Sequence, residues 1–346
     1  MSCMTVLGKK DCKDLGIITP HEHVFIDMSV FFQEPEEISA KVMAHGPVTI
    51  EKLGVLKRNP FAVLDNVQLM DYDTQKNEMV YFQTAGGRTV VDVSNHGLGR
   101  DPALLRRMSV ETGLNIICGA GYYVEGAQNP ANLELTVEQM EADIVRDIEV
   151  EIGHTGIRAG VIGEIGVSHI MYPFEQRSLT AACRAQVRTN APLMIHINPW
   201  STQGLNAMDI VEEHGIAPEK VVVCHSDVEN REEYIFRLLD KGVYVEFDNF
   251  GKEMNTDRWD VKPGSGRFVT DWDRVRLVKK MIDKGYTKQL LFSCDICLKS
   301  LLHAYGGWGY DHVLTHIVPM LDELGITPEQ IEEILVHNPA RWLDFM

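Results

Sequence analysis

Long hydrophobic runs are missing from this chain of 346 residues. No apolar stretch approaches the roughly 20 residues that a helix needs to cross a bilayer, which argues against a helical membrane span. Basic residues are scarce: 33 Lys and Arg stand against 50 Asp and Glu, a formal net charge of -17. Non-specific nucleic-acid binding needs a Lys/Arg footprint, so that class is excluded too. The opening segment, Met1 to Gly16, is polar and lacks the apolar centre of a secretory signal. The seven cysteines are odd in number, scattered and partly inside strand-like runs. That pattern points to reduced, buried thiols and a cytoplasmic setting. Cys294 and Cys297 have redox-like spacing but no thioredoxin-like surroundings. Lysine is absent altogether between Lys76 and Lys220.

What is present is a series of short, near-continuous apolar runs. They begin at Ile17, Thr89, Asn115, Ala159, Pro192, Val221, Gly242 and Leu290, eight in all. Runs of this kind suit parallel strands covered on both faces. Amphipathic stretches alternate with them: Asp71 to Thr84, Thr136 to Glu151, Gln176 to Asn190, Ala207 to Gly215, Arg231 to Gly242 and Asp271 to Gly285. Thr136-Val137-Glu138-Gln139 reads as a capping box, and several stretches close on glycine as helix C-termini do. Strand and helix in alternation predict an α/β protein, a (β/α)8 barrel of the TIM type. About 60 residues separate the first strand from the second. Phe31 to Leu64 is therefore an insertion after strand 1, an ordered excursion that walls the active site or forms a subunit contact. With no repeat or linker in view, residues 1–346 are expected to be one domain.

Metal-type ligands sit at the ends of these runs: His21 and His23, Glu164, His196, His225 and Asp295. In a strand alternate side chains face the same way, so His21 and His23 point together and Glu22 points away. The pair can grip one ion, and His196 with His225 a second. Glu164 is the natural carboxylate to span and neutralise both. Asp295 can bind the first ion through one oxygen and keep the other for a proton. Ligation by imidazole and carboxylate suits Zn2+, with Mn2+, Fe2+, Co2+ or Ni2+ as alternatives. His96, also at a strand end, reads as a supporting or substrate-facing residue.

Taken with Thr19-Pro20 before the first pair, Ser293 to Cys297, Tyr305 to His312 and Asn338-Pro339-Ala340-Arg341, these residues resemble the phosphotriesterase-like branch of the amidohydrolase superfamily. The resemblance implies a (β/α)8 barrel, two divalent metal ions, a metal-bridging hydroxide and a homodimer. Many members bridge the metals with a carboxylated lysine on the fourth strand. Here Glu164 stands in Gly163-Glu164-Ile165-Gly166, and the lysine gap leaves no substitute, as in the phosphotriesterase-related subgroup that uses glutamate. Lactonases of acyl-homoserine lactones carry arginine where Asn249 stands, whereas Tyr123 matches the lactonase tyrosine.

The expected function is a binuclear metal-dependent hydrolase acting on a small-molecule carboxylic ester or lactone. An amidohydrolase acting on an N-acyl compound is the next reading, phosphoester hydrolysis the third, and a ligand-binding protein with a structural metal the alternative outside catalysis. Two cations lower the pKa of a shared water. Asp295 takes its proton and passes it to the leaving group, and Tyr123 is placed to meet the developing oxyanion. Tyr122, Tyr123, Asn249, Phe250, Lys252 and Trp308 are expected to touch substrate, with Trp200 and Tyr310 as further aromatic candidates. Lys252, Arg177, Arg267 and Lys299 are candidate partners for an anionic group.

Overall fold

The computed structural model describes residues 1–254 and 266–346. Eight strands form one parallel sheet: β1 (Ile17–Glu22), β2 (Gly87–Asp92), β3 (Asn115–Ala120), β4 (Val161–Val167), β5 (Leu193–Ile197), β6 (Val221–Val223), β7 (Tyr244–Phe247) and β8 (Leu290–Phe292). Each pairs with the next in chain order, from β1 through to β8. This is the expected (β/α)8 barrel. At the seam between β8 and β1 a side chain does the bridging. The buried Glu22 carboxylate accepts the Cys294 N–H at 2.9 Å and the Ile296 N–H at 2.8 Å.

Two apolar clusters account for most of the core. Ile18, Val91, Ile117, Val161, Met194, Val222 and Leu291 fill the barrel interior, and Cys3, Leu15, Trp342 and Leu343 extend the same cluster. A larger cluster lies between strands and helices, with Met79, Leu105, Ile144, Leu179, Met208, Leu238 and Val278 from successive helices. Every helix predicted from the sequence is present. Tyr72–Thr84 starts at the N-cap Asp71, and Val137–Glu149 opens on the Thr136/Gln139 capping box. Helices Glu232–Asp240 and Asp271–Asp283 stop two residues before their glycines, because such a glycine lies just outside the last helical turn.

The segment between β1 and its helix is folded rather than extended. It contains the helix Ile38–Ala44 and shorter helical turns at Ile50–Lys52 and Leu53–Leu56. Val48, Leu56 and Val63 give it a small core of its own. Asn66 and Asp65 tie its end to the loop after β8: Asn66 Oδ1 accepts the Ser300 N–H at 2.8 Å, and Asp65 pairs with Lys299 at 2.5 Å. The insertion thus borders the same barrel rim that carries the metal-type ligands. Among the described residues no helix is long and apolar enough to cross a membrane.

Candidate metal centre

All six predicted ligands meet at the C-terminal mouth of the barrel, and all are buried. His21 is on β1 and His23 just past it. Glu164 is on β4, His196 on β5, and His225 and Asp295 follow β6 and β8. Glycine lets the chain come close around Glu164. A Cβ at Gly166 would lie 2.1 Å from the Val124 nitrogen, and one at Gly163 would lie 2.7 Å from the Met194 Cβ. These two contacts explain the glycines that flank Glu164 in the sequence. His225 and Asp295 adopt φ of 55° and 47°, a left-handed conformation that costs a non-glycine residue about 1–3 kcal/mol and recurs at functional sites.

The donor atoms fall into two groups around Glu164. In the first, His23 Nε2 lies 3.2 Å from Asp295 Oδ1 and 3.4 Å from Glu164 Oε1. His21 Nε2 lies 3.7 Å from Asp295 Oδ1 and 3.6 Å from Glu164 Oε2. In the second, Glu164 Oε2 lies 3.0 Å from His196 Nδ1 and 3.6 Å from His225 Nε2, and the two imidazole nitrogens are 2.8 Å apart. Ligands held at about 2.0–2.1 Å in a tetrahedron stand about 3.3–3.4 Å from one another. Both groups have that spacing to within about half an ångström. Moreover, His21 Nε2 is a buried atom with no hydrogen-bond partner, a costly state for a polar atom that a cation would relieve. The residues therefore fit a pair of divalent ions, with Glu164 placed between the two groups.

A ring of polar groups fixes the imidazoles. His21 Nδ1 meets Glu246 Oε2 at 3.1 Å, His23 Nδ1 meets Ser94 Oγ at 2.9 Å, and His225 Nδ1 meets Asp248 Oδ1 at 2.9 Å. Such partners set the ring tautomer and orientation of metal-binding histidines. Beyond them, Asn249 donates through its backbone N–H and Nδ2 to Asp227, which pairs with the fully buried Arg274 at 3.1 Å. The sequence reading assigned no role to Ser94, Glu246, Asp248, Asp227 or Arg274. A signal existed for two of them, because Glu246 on β7 and Asp248 just past it are two residues apart around the apolar Phe247 and so face one way.

A cavity of about 340 Å3 opens beside the ligands. Of the expected substrate contacts, Tyr123, Asn249 and Lys252 line it. The Tyr123 hydroxyl lies 3.4 Å from His196 Nε2. Burial and the Glu164 carboxylate push that hydroxyl above the ordinary phenol range. Lys252 pairs with Asp295 Oδ2, the oxygen opposite the one that faces the histidines. Burial disfavours its charge, but the Asp295 carboxylate more than compensates and raises its pKa.

Three residues expected to touch substrate lie away from this cavity. Tyr122 points outward, where its hydroxyl donates to Asp143 at 2.9 Å and its ring stacks on His96. Phe250 is buried against Phe247 and Phe292 in the core. Trp308 lies against His312 and His316 and is 48% exposed. None of the three is among the described cavity-lining residues. Trp200 does line the cavity, whereas Tyr310 is buried and donates to the His23 carbonyl at 2.8 Å. Arg177 is spent on the Leu133 and Leu135 carbonyls and Lys299 on Asp65. Phe31, Gln33, Pro60 and Phe61, all from the insertion, line the cavity and had been given no individual role.

A (β/α)8 barrel that gathers imidazoles and carboxylates at its C-terminal mouth, beside a cavity, defines a metal-dependent hydrolase of the amidohydrolase type. The phosphotriesterase family model matches residues 1–343, and the chain belongs to that family. An N-acetyltaurine hydrolase from Xenopus tropicalis is 32% identical over 343 residues, covering 99% of this chain and 97% of its own. The crystal structure of a resiniferatoxin-binding protein from Rhodobacter sphaeroides superposes with a TM-score of 0.95 at 34% identity, covering 99% of this chain and 95% of that one. A phosphotriesterase-like lactonase from Deinococcus radiodurans, in mutant form, gives a TM-score of 0.76 at 25% identity, covering 99% and 100%.

Proposed function

We propose that the protein hydrolyses a small N-acyl compound whose amine portion carries an anionic group, with two divalent ions, zinc foremost, held by His21, His23, Asp295, Glu164, His196 and His225. The observation that carries the reading is Glu164, whose two oxygens face both histidine pairs. Such a pair of ions supplies an acidified water as nucleophile and polarises the scissile carbonyl. Tyr123 donates to the carbonyl oxygen as it gains charge. Asp295 takes the proton of the attacking water and returns it to the departing amine. Lys252 is the one lysine or arginine among the described cavity-lining residues, which suits it to hold a carboxylate or sulfonate on the amine side. The whole-length likeness to an N-acetyltaurine hydrolase supports the amide over the ester or lactone, which was the first expectation from sequence. A lactone remains the second reading, favoured by Tyr123 beside His196.

The test is a side-by-side kinetic panel on metal-supplemented protein: N-acyl amino and sulfonic acids, lactones and phosphoesters. Amides should lead, with activity abolished by a chelator and restored by added Zn2+ or Mn2+. Lactones ahead by tenfold or more would favour the second reading, and no metal-dependent turnover on any of them would overturn both.

A further inference from the structure

Two pairs of aromatic rings flank the cavity. Phe31 and Phe61, from the insertion, have centroids 5.7 Å apart. Trp200, after β5, and Phe268, after β7, are 5.3 Å apart and meet edge to face. All four line the cavity and all are only partly buried. Large aromatic side chains held half-open around one cavity are apolar surface that a ligand can cover. The rest of the lining is unevenly distributed. Phe31 packs on Tyr123, with centroids 6.3 Å apart, and Tyr123 packs on His196. Lys252, the one lysine or arginine among the described lining residues, sits instead on Asp295. Through Tyr123, Phe31 is thus linked to the His196 side of Glu164, and the charge of Lys252 is on the Asp295 side.

That asymmetry orients a substrate. Asp295 serves the leaving amine, so the amine portion lies beside Asp295 and Lys252. The acyl portion then lies toward Tyr123 and Phe31. The whole cavity, about 340 Å3 with the space beside Asp295 and Lys252 included, falls within the range of ligand pockets. Resting on the proposed amide hydrolysis, we infer that the acyl group is apolar and larger than acetyl, an aryl or medium-chain group, and that Phe31 and Phe61 of the insertion set this preference.

The experiment compares N-acetyl, N-butyryl, N-hexanoyl and N-phenylacetyl derivatives of glycine and of taurine with the metal-replete wild type, F31A and F61A. Burial of each added methylene is worth roughly fourfold in kcat/KM. Wild type should accordingly favour hexanoyl or phenylacetyl over acetyl by at least about tenfold. Each variant should compress that ratio by at least about threefold, and the ratio does not depend on how much of the variant folds. A flat or falling series from a protein that does hydrolyse the acetyl compounds would overturn the inference and leave the amide reading intact. A preference unchanged in both variants would remove the insertion from it. Failure to hydrolyse any N-acyl compound would overturn the amide reading itself, and the inference with it.

Discussion

Asp248 offers the sharpest test of the two-ion arrangement, because it serves one half of the centre more than the other. Its Oδ1 meets His225 Nδ1 at 2.9 Å, its Oδ2 accepts the His225 N–H at 2.8 Å, and Asn249 Nδ2 donates to Oδ1 at 2.6 Å. His21 Nδ1 is farther off, at 3.6 Å, and has its own carboxylate, Glu246, at 3.1 Å. In D248N one oxygen becomes an NH2 group. If the remaining oxygen keeps the His225 backbone N–H, the amide NH2 faces two donors, the His225 ring and Asn249. The imidazole then loses both its orienting acceptor and the charge that makes it a stronger ligand. Loss of such a partner typically costs 10- to 100-fold in metal affinity, about 1.4–2.7 kcal/mol. The loss should fall on the ion held by His196 and His225. Metal titration followed by elemental analysis should show two ions at saturation in D248N, with one of them lost at metal concentrations that still fill the wild type. E246Q should weaken the His21 side instead. Equal affinity of D248N and wild type for both ions would refute the assignment of Asp248 to His225, and equal weakening of both ions would refute the division of labour between the two carboxylates.

D295N keeps an oxygen toward His23 but cannot accept a proton, so turnover should collapse while most of the metal is retained; full activity would remove the proton-transfer role. Glu164 needs no carboxylation, so bicarbonate should not activate freshly reconstituted apoenzyme, and a bicarbonate-dependent rise in rate would mean that another group bridges the ions. Asp271 is buried, which pushes its carboxyl up, but His312 and Arg274 together hold it below its ordinary 3.8. A depressed folded pKa stabilises the fold above the unfolded value, and that stability drains away as pH falls through the folded value. D271N should therefore lower the urea midpoint at neutral pH and lose that effect progressively as the pH falls below 3.8; a penalty independent of pH would show that the carboxylate charge is not what stabilises.

The barrel was legible because eight apolar runs of strand length alternate with amphipathic stretches, a pattern that few other folds accommodate. The meeting of the six candidate ligands was legible because metal chemistry admits few side chains and because strand ends converge at the mouth of a barrel. The aromatic contacts were not. Tyr122 and Tyr123 are neighbours, and alternation along an extended chain sends one to the helices and the other to the cavity. The same parity separates Phe250, in the core, from Asn249, at the cavity. Residue type at a strand end is visible in the sequence, but the phase of the last turn is not. Phe31 and Phe61 escaped for a different reason. They lie in a segment with no hydrophobic period, and only the fold of that excursion brings them over the mouth.

Glu22 shows how much one short motif arranges. Its neighbours His21 and His23 face the centre, and Glu22 faces away, as alternation requires. Facing away does not make it idle. Its carboxylate, oriented by the Thr19 hydroxyl at 2.8 Å, accepts the backbone N–H groups on both sides of Asp295. Asp295 is one of the two ligands with left-handed backbone, a conformation that persists only where its surroundings over-determine it. Gripping the amides of residues 294 and 296 supplies that constraint, and it does so across the seam where no backbone ladder joins β8 to β1 among the described pairs. His-Glu-His thus supplies two candidate ligands directly and positions a third, Asp295, from more than 270 residues away in the chain. Sequence spacing showed which two residues of the motif face the centre. What the middle one holds became visible only when the barrel closed.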